Sequence, residues 1–229
     1  MIGSSVLKFN RQLLKSRIEG LAPPCRFLFA LCIAERLFPL YQLYCARAIQ
    51  DRLVTGTQVL ERVRYLESTR IQLWQMTHED KEGRAEPFLN DYQSLIPAGD
   101  LVPASEVDAN PFSALAEFAI LALHSACECR RTGDSECAVW AAESGGYAAV
   151  DYIAHSIEGM SYDSPEAESA ILKKDYVQAE LKRQRRDIKE LATITKRGSP
   201  ISYVSREFRV RALIEGLRLK GIVAWLLRS

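Results

Sequence analysis

Apolar side chains fill one stretch of the chain almost without interruption, from Arg26 to Arg47. It reads RFLFALCIAERLFPLYQLYCAR, and Glu35 and Arg36 are the only charges between its ends. A membrane span needs about 20 lipid-compatible residues, and a charged side chain at its centre costs about 2.5 to 3.5 kcal/mol on insertion scales. We therefore predict a buried core helix and no transmembrane segment.

Within this helix, the adjacent charges Glu35 and Arg36 point about 100° apart, so we predict that each finds a separate partner elsewhere. Pro39 has no N–H to donate to the carbonyl of Glu35, which predicts a kink at this point. We group Glu35, Arg36 and Tyr41 as one candidate cluster. Two interpretations stay open: a ligand-binding cluster, or an internal ion-pair network that fixes helix packing.

The remaining chain repeats apolar residues at helical spacing, and no stretch alternates as a strand does. Caps, prolines and glycines mark the helix ends, and the pair Gly145-Gly146 predicts a local bend or close backbone packing inside one helix. The predicted helices span about residues 5–21, 24–47, 57–76, 86–95, 111–132, 135–159, 165–196 and 202–228. The pattern predicts an all-α fold, a single helical bundle of about seven or eight helices.

Charge divides the chain unevenly along its length. Residues 1–172 contain 15 Lys and Arg and 23 Asp and Glu, which gives a formal net charge of −8. Residues 173–229 contain 15 Lys and Arg and 6 Asp and Glu, which gives +9. The two parts should therefore attract one another. We divide the chain into a bundle domain, residues 1–198, and a basic and apolar helical extension, residues 199–229, docked on the bundle or on a partner.

The composition is that of a globular protein, with 48% hydrophobic and 26% charged residues. The first twenty residues spread four basic side chains among apolar ones, unlike the apolar core of a signal peptide, which predicts a cytoplasmic location. The six cysteines mostly lie in apolar helical patterns, so we expect no disulfides. We expect no cofactor, since no phosphate-binding loop, nucleophile elbow or Cys-x-x-Cys pair occurs.

The string ALCIAERLFPLY, the later string FLNDYQSLIPAGD and the charged helix LKRQRRDIKEL together resemble the YjaG-like bacterial family of unknown function (DUF416-type). Its recurring feature corresponds here to Ala34, Glu35, Arg36, Pro39 and Tyr41. The resemblance covers about residues 21–195 and implies an all-helical, bacterial, cytosolic protein without an assigned activity. The proline-rich stretch 97–110 and the residues after 198 depart from the family pattern.

Two pairs of metal-ligating residue types occur at helical i, i+4 spacing: His124 with Glu128, and Asp151 with His155. Helical bundles build metal sites from such pairs on facing helices. The paired Glu-x-x-His pattern of di-iron bundles is missing, however. Buried, hydrogen-bonded histidines are the alternative interpretation, and we assign no metal.

Basic residues cluster on the seventh predicted helix: Lys182, Arg183, Arg185, Arg186 and Lys189. Aromatic residues follow, including Tyr203 and Trp225, and basic residues combined with aromatic ones are typical of nucleic-acid-binding surfaces. The basic residues alternate with acidic ones, however, which suits a solvated helix with local ion pairs. This surface is therefore a candidate for a protein partner and, as an alternative, for nucleic acid.

Nothing in the sequence identifies a catalytic residue or a biological process. The leading hypothesis is a non-enzymatic cytosolic protein that acts through protein interaction, with a homodimer through the C-terminal segment as one form. The alternatives are a metal-binding or enzymatic bundle that uses Glu35, His124, Glu128 and His155, an immunity-type protein, and nucleic-acid binding.

Overall fold

The computed structural model describes residues 6–50, 56–78, 111–161 and 163–228. These ranges hold eight helices and no strand, which confirms the all-α prediction. The helices are α1 (Arg11–Glu19), α2 (Pro23–Gln50), α3 (Gly56–Met76), α4 (Pro111–Thr132), α5, α6 (Pro165–Leu172), α7 (Asp175–Arg197) and α8 (Ser202–Leu226). The helix α5 joins four stretches: Ser135–Trp140, Ala141–Tyr147, Ala148–Tyr152 and Ile153–Ile157.

The apolar run predicted as a core helix is α2, and it is buried on every side from Phe27 to Tyr41. It packs most extensively against α4, next against α8, and also contacts α3, α5 and α7. An apolar helix of this kind needs neighbours all round it. The other helices therefore surround α2.

By length and composition, α2 and α4 are apolar enough to cross a membrane, and they alone meet that test among the described residues. The apolar window of α2 is 89% buried inside the fold, against 56% for that of α4. A buried core helix can have the same length and composition as a membrane span. The burial of α2 inside the fold is that of a core helix.

Two stretches of α5 are π-helical, and the first of them contains Gly145 and Gly146. A Cβ at Gly145 would lie 2.8 Å from the Cβ of Ala122 on α4, and one at Gly146 would lie 2.8 Å from Oε1 of Glu180 on α7. Only glycine lets the backbone approach both neighbours so closely. The close packing predicted for this pair is therefore confirmed.

Several predicted helix ends are confirmed by their caps. Asp134 accepts a hydrogen bond from the N–H of Glu136 at the start of α5, and Ser164 accepts one from Ala167 at the start of α6. Gly198 ends α7 with a φ of 62°, in the left-handed region that favours glycine.

Two helix boundaries were predicted wrongly. The first helix begins at Arg11 with Asn10 as its cap, so residues 6–10 are not helical. The helix expected over 165–196 is broken at Lys173 and Lys174 into α6 and α7. The predicted helix 86–95 and the predicted irregular connection 97–110 lie outside the described residues.

Candidate functional site

Glu35 lies at the centre of the fold with its carboxylate fully buried. Arg70 of α3 donates a hydrogen bond to Oε1 of Glu35, and Nε1 of Trp74 donates one to Oε2 at 2.8 Å. Nε of Arg209 on α8 lies 3.9 Å from the same carboxylate, with its guanidinium 5.6 Å from the ring centre of Trp74. Glu35 therefore connects α2 to α3 and α8.

Arg36, the next residue, points to a different helix and is 2% exposed. Its Nη1 donates to Oδ2 of Asp187 at 3.0 Å, and its Nη2 donates to Oε1 of Glu180 at 3.1 Å. Both carboxylates belong to α7 and are themselves buried. The prediction that the two adjacent charges find separate partners is therefore confirmed.

The carboxylates that bind Arg36 also have cationic neighbours of their own. Oδ1 of Asp187 accepts hydrogen bonds from Arg186 at 3.0 Å and from Arg211 at 3.1 Å. Arg183 lies 3.6 Å from Oε2 of Glu180. Together with Arg36, these residues form a network that joins α2, α7 and α8.

Burial and charge act in opposite directions in this network. Desolvation lowers the pKa of Arg36, but the attraction of Glu180 and Asp187 outweighs it and raises the pKa above the ordinary value. Desolvation likewise raises the pKa of Glu180, but Arg36 and Arg183 bring it below the ordinary value. Arg36 and Glu180 therefore both stay charged at neutral pH despite complete burial.

A glycine allows α8 to approach α2 at this point. A Cβ added to Gly216 would collide with the carbonyl oxygen of Arg36. Alongside it, Glu215 accepts a hydrogen bond from Arg186 at 3.0 Å and so ties α8 to α7. The backbone contact and the ion pair hold α8 beside the Arg36 network.

The partners of Glu35 and Arg36 are protein side chains, which favours the interpretation as a network that fixes helix packing. Tyr41 is buried further along α2, and its hydrogen-bonding neighbour is Cys45, one turn later. Among the described residues, the hydrogen bonds and ion pairs of Glu35 and Arg36 do not include Tyr41. Desolvation raises the pKa of the Tyr41 phenol, which keeps it protonated.

The candidate metal ligands have other neighbours. Glu128 accepts hydrogen bonds from Arg131 on its own helix, and Nδ1 of His155 lies 2.7 Å from the carbonyl oxygen of Met160. Desolvation lowers the pKa of His124, which favours the neutral imidazole. Within the described part of the chain, His124, Glu128, Asp151 and His155 belong to no group of three or more potential metal ligands.

The five residues of the predicted basic surface all lie on α7: Lys182, Arg183, Arg185, Arg186 and Lys189. They do not face one direction. Arg183 and Arg186 turn toward Glu215 of α8, at 3.6 and 3.0 Å, whereas Arg185 lines a groove against Asn10 and the start of α1. Ion pairs therefore hold two of the five, and the prediction of a mostly solvated helix was wrong for this stretch.

Sequence reasoning missed Glu180 and Asp187 as the partners of Arg36. It assigned them to local ion pairs because they lie in a helix rich in charge. Their spacing carried the usable signal, because Glu180, Gln184, Asp187 and Leu191 recur at i, i+4, i+7 and i+11 and share one helical face, all buried in the structure.

The sequence-based interpretation also missed that α8 has two apolar faces. One face packs inward with Ser205, Phe208, Ala212, Gly216, Leu219 and Val223. The other is a row of exposed side chains: Tyr203 (82% exposed), Val210 (51%), Ile214 (46%), Leu217 (51%) and Trp225 (66%). We call this row the α8 stripe. Two opposite apolar faces explain why the segment lacks the one-sided pattern of a simple amphipathic helix.

No family model matches the chain, and no curated protein matches it. Among solved structures, the crystal structure of a DUF416 family protein from Shewanella baltica OS155 is similar, with a TM-score of 0.68 and 14% sequence identity. The similarity covers 87% of this chain and 92% of the other. At this identity the comparison shows a shared fold, and the name of that protein assigns no activity.

Proposed function

We propose that the protein acts by binding another protein through the α8 stripe, without catalysis of its own. The observation that supports this proposal is the exposure of five large apolar side chains along one helix whose opposite face is already buried. Val210, Ile214 and Leu217 follow one another at i, i+4 and i+7, and clustered exposed apolar side chains mark interaction sites in folded proteins. Tyr203 and Trp225 near its two ends belong to the residue types that contribute most at interfaces.

The firm attachment of α8 to the bundle supports the same proposal. Gly216 packs on the backbone of α2, and Glu215 and Arg211 are tied to α7 by ion pairs. A helix fixed in this way presents its outer side chains without further ordering, which lowers the entropic cost of binding. The stripe is therefore preorganised for a partner that lies along it.

We extend the proposal to family and location: a YjaG-like bacterial protein in the cytoplasm. The string around Glu35, Arg36 and Pro39 supports the family placement, together with the shared fold of the DUF416 protein. The six cysteines, all free, suit a reducing compartment and support the location.

A photo-crosslinker placed at Leu217 in the native host would identify the partner, which is then purified for calorimetric titration. We expect Leu217→Glu to weaken binding by about 1 to 3 kcal/mol or more, since a charge would replace a buried apolar contact. Leu60→Glu is the matched control, because Leu60 is 47% exposed and belongs to a different helix, α3. Equal affinity of wild-type protein and Leu217→Glu would refute the proposal.

A further inference from the structure

Arginine side chains border the α8 stripe. Arg206 and Arg218 are both exposed, and no ion pair described for this part of the chain includes either of them. They are twelve residues apart, or about 18 Å along the helix at 1.5 Å per residue. Val210 and Ile214 lie between them on the same surface. The stripe is thus apolar along its middle and positively charged at two separated points.

The other charges of this surface are largely balanced. The surface depression around Val210 and Ile214 is lined by four arginines, including Arg186 and Arg211, and by two glutamates, Glu207 and Glu215. Arg186 and Arg211 already pair with carboxylates of α7 and α8. Arg206 and Arg218 therefore supply the net positive charge.

Building on the proposed function, we propose that the occupant of the α8 stripe is an acidic amphipathic helix of another protein. It would place apolar side chains on Val210, Ile214 and Leu217 and carboxylates opposite Arg206 and Arg218. At 100° per residue, Arg206 and Arg218 lie about 120° apart around α8, on opposite sides of the stripe. An amphipathic helix has polar residues on both sides of its apolar face, so its carboxylates can lie opposite both arginines. Complementary charge sets the choice of partner and speeds association.

A second copy of the chain matches this surface less well. The surface depression around Val210 and Ile214 carries more arginines than glutamates. A second copy would therefore place one net positive surface against another, and like charges disfavour the pairing.

Nucleic acid also fits less well than an acidic helix. Phosphate-binding surfaces use many Lys and Arg along one path, whereas the basic residues of α7 and α8 are divided. Arg185 faces the groove at α1, while Arg206 and Arg218 border the stripe on α8.

The test uses the full-length protein and two model peptides of about 21 residues, each helical with leucine at two heptad positions and either glutamate or lysine elsewhere. Binding is followed by fluorescence anisotropy of the labelled peptide. We expect the acidic peptide to bind at least about tenfold more tightly than the basic one. Its affinity should fall with added salt, and Leu217→Glu should abolish its binding. The double variant Arg206→Glu with Arg218→Glu should reverse the preference.

A control variant carries the same change of charge on another face: Lys182→Glu with Arg185→Glu, both exposed on α7. Circular dichroism establishes that every variant is folded. We expect this control to retain at least about half of the preference for the acidic peptide, because its charges lie away from the stripe. An equal reversal in the control would overturn the assignment to Arg206 and Arg218.

The remaining outcomes separate the two proposals. Equal or stronger binding of the basic peptide, still lost in Leu217→Glu, overturns the acidic partner and leaves protein docking at the stripe intact. Binding that Leu217→Glu does not change overturns both. Two further results would overturn the acidic partner. One is a dimer, detected by sedimentation velocity, that Leu217→Glu converts to monomer. The other is tighter binding to a 20-mer oligonucleotide or to anionic phospholipid vesicles than to the acidic peptide.

Discussion

The guanidinium of Arg36 lies 3.0 Å from the carboxylate of Asp187, which follows it in the chain by 151 residues. Both side chains are no more than 2% exposed. A buried ion pair contributes little net stability when it is complete, yet removal of one partner is costly. Loss of one partner of this pair should therefore change the stability of the protein far more than loss of both.

We predict that Arg36→Met destabilises the protein by about 3 to 5 kcal/mol, because Glu180 and Asp187 would keep buried charges without their shared cation. Urea unfolding followed by circular dichroism measures the change. The triple variant with Glu180→Leu and Asp187→Leu should recover part of the loss, since it removes the stranded carboxylates as well. A loss below about 1 kcal/mol in the single variant would mean that neighbouring arginines compensate.

Two glycines on α8 provide a matched pair of substitutions. Gly216→Ala places a methyl group on the carbonyl of Arg36 and should cost about 1 to 3 kcal/mol through overpacking. The Cβ added by Gly221→Ala has no neighbour within 4 Å, so this variant should stabilise the protein by up to about 1 kcal/mol through helix propensity. Thermal unfolding gives the midpoint temperature of each variant. Equal changes of this temperature in the two variants would show that α8 does not approach α2 so closely.

Acid should weaken the fold partly through Glu180. Although desolvation alone would raise its pKa, Arg36 and Arg183 bring that pKa below the ordinary 4.5. Below 4.5, therefore, the unfolded chain binds a proton before the folded chain does. The stabilisation is present above 4.5 and is lost as the pH falls through the pKa of the folded state.

We accordingly expect Glu180→Gln to lose less unfolding free energy than wild type between about pH 7 and about pH 3.5. Urea titrations at both pH values give the difference. Glu166→Gln, which removes an exposed carboxylate from the first turn of α6, controls for the change in net charge. An identical loss in wild type and Glu180→Gln would contradict the assignment.

The thiols should react slowly while the protein is folded. All six cysteines are free, as expected from the sequence, and five are buried while Cys137 is half-buried. Desolvation raises the pKa of Cys129 to about 12 and that of Cys45 to about 11, so the reactive thiolate is scarce. With a thiol-specific chromogenic reagent we expect at most one slow reaction, absent in Cys137→Ser, and six after denaturation. Fast reaction at several cysteines would refute this burial.

Features fixed by local pattern were predictable from the sequence. The caps at Asp134 and Ser164 follow from side chains that bind the first free N–H groups of a helix. The separate partners of Glu35 and Arg36 follow from helical geometry alone, since consecutive side chains point about 100° apart. These properties involve neighbours in the chain, so they need no knowledge of the fold.

Features fixed by tertiary packing were not predictable in the same way. Asp187 lies in a helix crowded with arginines, and the choice of Arg36 as its buried partner depends on how α2 and α7 are brought together. The position of Tyr41 likewise depends on which side of α2 meets which neighbour. Gly216 is the exception in hindsight, because a glycine inside a helix often indicates a close backbone contact.

The opposite orientation of Glu35 and Arg36 also fixes the register of α2. Inserting one residue just before Glu35 would carry its carboxylate into the place of Arg36, facing Glu180 and Asp187, so that three negative charges would meet. Deleting one residue there would carry the Arg36 guanidinium toward Arg70 and Arg209, so that three positive charges would meet. Surface loops tolerate changes in length, whereas this helix would reverse the sign of its central contacts with a shift of one residue in either direction.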